Sequence, residues 1–106
     1  MKKLNELAMQ IVRENMKNAR HQLAKTPYWK TAEFAYASYS LTTLIEILEY
    51  LRRSPDISPI IILEEYRDQM DDYACRNIIG SYMFSVAYDT VTNIIDELIS
   101  SKEVCK

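Results

Sequence analysis

The stretch Arg76-Asn77-Ile78-Ile79-Gly80-Ser81-Tyr82 decides the fold, because Gly80 is the only glycine in 106 residues. Glycine takes the left-handed conformation that closes a helix, and serine is a good cap for the helix that follows. Read that way, the chain breaks here and its carboxyl-terminal half is two helices. Read the other way, the chain stays helical from Pro59 to Ser100. That rod would be roughly 60 Å long at a rise of 1.5 Å per residue. It would overhang two shorter helices and need a second copy to cover its seam. The break is the preferred reading, and it predicts an all-α fold: a small four-helix up-and-down bundle, one domain over residues 1–106. The alternative is three helices, the last one long, in a dimer.

Upstream of the glycine, Ser58-Pro59 reads as a cap followed by the proline that suits a first helical position. The third helix starts there, with Leu63, Tyr66, Met70, Tyr73 and Ala74 facing inward. Downstream, the fourth carries Met83, Ala87, Val91, Ile94 and Leu98, flanked by Phe84, Tyr88, Ile95 and Ile99. Ser54-Pro55-Asp56-Ile57-Ser58-Pro59 is the clearest loop. The second helix is expected from a Thr26 cap and Pro27 to about Arg53, with Phe34, Ala37, Leu41, Leu44, Leu48 and Leu51 as its seam. Ser38, Thr42, Glu46, Glu49 and Arg53 fall on the opposite side. This helix reads as the most enclosed of the four. The first runs from about Lys3 to Ala24, its apolar residues recurring at three- and four-residue steps from Leu4 to Leu23. No internal repeat, low-complexity tract or linker is read in the chain.

Composition narrows the function classes. One glycine and three prolines cannot supply the tight turns of a β-sandwich, nor the glycine-rich loops that cradle phosphates. Apolar residues at 48% and charged residues at 26% are ordinary for a globular chain and unlike a disordered one. The longest apolar run, Ile60 to Leu63, is far below membrane-spanning length. The opening Met1-Lys2-Lys3-Leu4-Asn5-Glu6 lacks the apolar core of an export signal. A cytoplasmic location is therefore expected, with Cys75 and Cys105 as free, structural thiols. Net charge is −2, but residues 1–30 carry seven Lys and Arg against Glu6 and Glu14. A basic amino-terminal helix thus faces an acidic remainder. That asymmetry reads either as complementarity between neighbouring helices or as a dipole presented to a partner.

Four carboxylates form a pointed pattern. Glu46-Ile-Leu-Glu49 lies on the second helix and Glu65-Tyr-Arg-Asp68 on the third, with fifteen residues between Glu49 and Glu65. Carboxylates one turn apart on two adjacent helices can share a hard, oxygen-seeking cation. The spacing is similar to the ExxE…ExxD pattern of the MazG-like all-α nucleoside triphosphate pyrophosphatases. That resemblance implies Mg2+ held by Glu46, Glu49, Glu65 and Asp68, bridging the substrate phosphates. Helical phase reads against it. At 100° per residue, these acids fall roughly 110° to 170° from the seams of their helices.

Arg76-Asn77 with Tyr82 resembles the RNxxxxH motif of HEPN-type ribonucleases, also small helical bundles. Tyr82 stands where that motif has histidine. The only histidine, His21, lies between Arg20 and Gln22 on the basic first helix, without the partners of a catalytic triad. No catalytic residue is assigned.

The aromatic balance carries the most weight. Eight tyrosines stand against two phenylalanines and one tryptophan, and tyrosine is favoured where a surface is alternately wet and docked. Tyr28 and Trp29 open the second helix at an exposed corner, and Tyr36, Tyr39 and Tyr50 lie on its flank. Glu64, Glu65, Asp68, Asp71 and Asp72 put five acids in nine residues of the third helix. Together they are the expected interaction surface for another protein or a second copy of the chain. Nucleic acid is not an expected partner: the basic stripe Arg13, Lys17, Arg20 lacks interleaved aromatics and the protein is acidic. Nor is a membrane surface, because the apolar face of the first helix has no Trp or Phe anchor. The functional expectation is a non-enzymatic interaction module without cofactor. By size and class it is similar to bacterial or phage inhibitor, immunity and anti-defence proteins. The pyrophosphatase and a purely structural homo-oligomerisation module are the alternatives.

Overall fold

The computed structural model describes residues 2–76 and 79–104, with Lys2 and residues 102–104 described by backbone alone. Four helices follow in order: α1 (Lys2–Lys25), α2 (Thr31–Arg53), α3 (Pro59–Arg76) and α4 (Ser81–Val104). Among the described residues there is no strand. The four-helix bundle of the preferred reading is the fold, and the long carboxyl-terminal rod is ruled out. Gly80 breaks the chain at φ 91°, a conformation that L side chains take at a cost. Its carbonyl accepts the Phe84 N–H at 3.2 Å. Gly80 itself therefore holds the cap position of α4, and Ser81 is the first helical residue.

The contacts fix the helix directions. Asn5, near the start of α1, reaches Leu51, near the end of α2, so these two run antiparallel. Tyr73 stacks on Phe84 with ring centroids 5.3 Å apart, closing the α3–α4 hairpin in the same way. Between α2 and α4 the Tyr82 hydroxyl meets the Ala32 carbonyl at 3.4 Å and Thr90 meets Ser40 at 3.2 Å. Those two helices run parallel, and the chain goes up and down four times. α2 and α4 pack on each other across the short diagonal, whereas α1 and α3 barely touch. Both α2 and α4 are central; α2 shares its enclosed place.

The start of α2 departs from expectation. Thr26 does not cap it, because both its N–H (3.0 Å) and its hydroxyl (2.7 Å) donate to the Gln22 carbonyl and finish α1 instead. Pro27 then opens a separate turn, closed by the Lys30 N–H on the Pro27 carbonyl at 3.0 Å. At α3 the expectation holds: Pro59 is the first residue and the Ser58 carbonyl takes the Ile62 N–H.

The seam of α2 is also rotated from the one expected. Its buried residues are Ala37, Ser40, Thr43, Leu44, Ile47 and Leu51, while Leu41 and Leu48 are half-buried. The cause is the short diagonal. Close approach of α2 to α4 needs small side chains, and Ala37, Ser40, Ala87 and Thr90 provide them. Expected inward residues at the far end of the period, Tyr73 and Met83, stand exposed instead. The rest of the core is Ala8, Ile11, Val12 and Met16 of α1, Leu63, Tyr66 and Met70 of α3, and the Val91–Leu98 stripe of α4.

α2 and α4 lie side by side in near register. Ala32 and Tyr82, and Ser40 and Thr90, each lie 50 residues apart. At that offset residues 31–51 align with residues 81–101. Phe34, Ala37, Thr42, Ile45 and Leu48 are identical to Phe84, Ala87, Thr92, Ile95 and Leu98. Ser40, Leu41, Leu44 and Glu46 meet Thr90, Val91, Ile94 and Asp96. The likeness does not extend to the core: Ile47 and Ile95 are buried, but their counterparts Glu97 and Ile45 are exposed.

Candidate interaction surfaces

Because α2 and α4 start side by side, both hairpin tips lie at one end of the molecule. Three large apolar side chains stand exposed there, among the exposed Lys25, Lys30 and Arg76: Tyr28 is 75% exposed, Trp29 70% and Ile79 93%. The Tyr28 and Trp29 rings meet edge to face at 5.5 Å, which supports a defined rather than a collapsed arrangement. Tyr82 and Met83 continue the patch down α4. The Pro27 turn explains the exposure: it lifts residues 28–30 off both helices, so the rings have no core to enter. Tyr28 and Trp29 are legible in the sequence as a corner; Ile79 and Tyr82 are not singled out there as surface residues.

The other tyrosines of the expected surface fall in separate places. Tyr36 is exposed and lines clefts on the α1 side. Tyr39 is half-buried on the α3 side, against Tyr82 at 6.0 Å. Tyr50 sits near the opposite end, 6.0 Å from Tyr66.

Two grooves flank the α2–α4 contact. The first, between α1, α2 and α4, is lined by Asn15, Asn18, Ala19, Gln22, Tyr36 and Asn93 among others. The second, between α2, α3 and α4, is lined by Tyr66, Met70 and Tyr73. Tyr39, Phe84 and Glu46 complete its walls. Burial raises the Tyr66 phenol above its ordinary value, and the Glu46 carboxylate beside it adds to that.

The four acids of the two-helix pattern do not converge. Glu46 borders the second groove. Glu49 is held by Arg52 at 3.1 Å and Arg53 at 3.3 Å on its own helix. Glu65 lies in a different cleft with Tyr50, and Asp68 is exposed beside Arg67. Phase anticipates the outward course of both Asp68 and Glu46, which are exposed, Glu46 at the edge of the second groove. Among the described residues no three His, Cys, Asp or Glu side chains come close enough to hold one metal ion. The second pattern also disperses. Arg76 pairs with Asp72 at 3.1 Å, Tyr82 is engaged by Ala32, and Asn77 lies outside the described residues. His21 is exposed on α1, and Cys75 is an exposed free thiol rather than a packed one. Cys105 lies outside the described residues.

Charge is separated across the bundle. Arg13, Lys17 and Arg20 are exposed on α1, and Glu64, Glu65, Asp68, Asp71 and Asp72 are exposed on α3. These helices are the distant diagonal, so the two stripes do not neutralise each other. Among the described residues, every ion pair lies within one helix. No described helix is long and apolar enough to cross a membrane.

No family model matches the chain, no curated protein matches it, and no solved structure matches it.

Proposed function

We propose that this chain is a non-enzymatic interaction module that docks another protein through the end formed by its two hairpin tips. The observation that carries the reading is the exposure of Tyr28, Trp29 and Ile79 together at that end. Leaving a tryptophan and an isoleucine in water forgoes on the order of 2 kcal/mol of burial per side chain. Contiguous patches of this kind, rich in Trp and Tyr, are what partners bury at the centre of an interface. The charge dipole between α1 and α3 adds orientation: it steers a charged partner and sets the approach. An inhibitor, immunity or anti-defence role in the cytoplasm is the form this reading takes for so small a bundle. The pyrophosphatase reading gains no support, since its four carboxylates point to separate places.

The test is capture from the native host on the immobilised chain, followed by measurement of the retained protein's affinity. Wild type is expected to hold one partner at one-to-one stoichiometry. Trp29→Ala with Ile79→Ser should weaken that partner by about a hundredfold, the cost of losing two central anchors, with unchanged helical content. Equal retention by the double variant would place the contact elsewhere. Sedimentation of the pure chain separates a second copy from a foreign partner, because self-docking would show as a concentration-dependent dimer that the same variant abolishes.

A further inference from the structure

The two charged stripes match each other in spacing. On α1, Arg13, Lys17 and Arg20 follow at steps of four and three residues; on α3, Glu64, Asp68 and Asp71 follow at the same steps. Each set therefore lies on one line of its helix, with about 10 Å between its ends. All six side chains are exposed, and among the described residues only Asp68 has an ion-pair partner, Arg67 at 3.6 Å. Charges of the wrong sign hardly interrupt either line. Arg67 has its Nε buried, and Arg76 is taken up by Asp72. Glu14 stands about 90° off the α1 line, and Glu6 comes two turns before Arg13. Ile61 lies on the acidic face, seven residues before Asp68, and is 51% exposed. It offers an apolar spot that the aliphatic stem of a long cation can cover. α1 and α3 are the distant diagonal of the bundle, so within one molecule the two lines never meet.

We propose that the acidic face of α3 docks the basic face of α1 of a second copy of this chain. Laid side by side in the same direction, the two helices bring Arg13 to Glu64, Lys17 to Asp68 and Arg20 to Asp71 in a single register. A second copy accounts for both stripes at once, whereas a foreign charged partner would match one and leave the other idle. The net charge of −2 leaves little long-range repulsion between copies. The two faces lie on opposite sides of the molecule, so the contact is head-to-tail and does not close: copies add into an open row. In such a row the hairpin tips all point the same way. Exposed ion pairs each contribute little, so the row forms only at low salt and high concentration. This contact is separate from the hairpin tips, so its failure leaves the docking reading untouched.

The test is sedimentation of the full chain at rising concentration in ~20 mM and in ~500 mM sodium chloride, where charges are felt over roughly 20 Å and roughly 4 Å. At the lower salt the average mass should reach at least twice the monomer by ~1 mM protein and climb past the dimer without a plateau; at the higher salt it should fall to the monomer. Arg13→Glu with Lys17→Glu and Arg20→Glu makes both faces acidic. Glu64→Lys with Asp68→Lys and Asp71→Lys makes both basic. Each variant alone should stay monomeric with unchanged helical content. An equal mixture of the two should regain the wild-type mass, since every acidic face then meets a basic one. Trp29→Ala with Ile79→Ser should leave the wild-type association intact. A wild-type chain that stays monomeric at low salt would overturn the proposal, and so would a plateau at the dimer. Association that survives the higher salt, or a mixture of folded variants that remains monomeric, would overturn it equally.

Discussion

Single residues settle the ends of the helices. Leu51 is near the end of α2, where its carbonyl would look to residue 55 for a donor, and Pro55 has no N–H. Asn5 supplies one from α1 at 3.2 Å and is itself only 3% exposed. Asn5→Ala should therefore cost about 1–3 kcal/mol in urea unfolding, the penalty of an orphaned buried acceptor. At Gly80 a methyl group has room, since the nearest atom would be a Phe84 ring carbon at 3.8 Å. The cost of Gly80→Ala is then conformational alone, about 1 kcal/mol, without loss of the break. Arg67 is the odd member of its helix. Its Nε is buried without a hydrogen bond, and the nearest carboxylate, Asp68, stands at 3.6 Å. Arg67→Met is expected to raise stability by about 1 kcal/mol, read as a higher urea midpoint at unchanged slope. Tyr66 adds a dependence on pH. Its phenol is raised above its unfolded value of 10.0 by burial first and Glu46 second. A group raised in this sense contributes stability that is fully present below the unfolded value and lost as the pH climbs through the folded one. Tyr66→Phe should therefore flatten the fall in urea midpoint between neutral pH and about pH 11, whereas an unchanged fall would mean that the phenol is not enclosed.

At the scale of elements, the helices are legible in the sequence wherever apolar spacing and backbone chemistry agree. The period through Ala8, Ile11, Val12 and Met16, the Ser58-Pro59 start and the Gly80 break all announce themselves. The rotated seam of α2 is not legible, because Ser40 and Thr43 read as polar although the α2–α4 approach needs small residues. Of the contact surfaces, the Tyr28-Trp29 corner is visible in the chain. The groove around Tyr66 is not, because it depends on three helices meeting. Burial also makes a prediction about packing. Leu98 is fully buried, while Leu48 is only half-buried. Leu98→Ala should cost about 2–5 kcal/mol and Leu48→Ala distinctly less, measured by thermal or urea unfolding.

The whole molecule is an oblong of 44 × 32 × 23 Å with three kinds of surface. One end carries exposed apolar side chains, and the sides of α1 and α3 carry opposite charge. The core needs none of these features: the tip rings pack on little, and the charged stripes find no partner across the bundle. They cost stability or contribute nothing to it, and that is the physical ground for reading them as contact surfaces. The most direct measurement is site-specific photo-crosslinking in the native host, with the photoreactive residue at Trp29 or, as control, at Asp56 in the loop of the opposite end. A single dominant adduct from position 29 and none from position 56 is the predicted result. Adducts of equal strength from both ends, or none from position 29, would contradict a docking end.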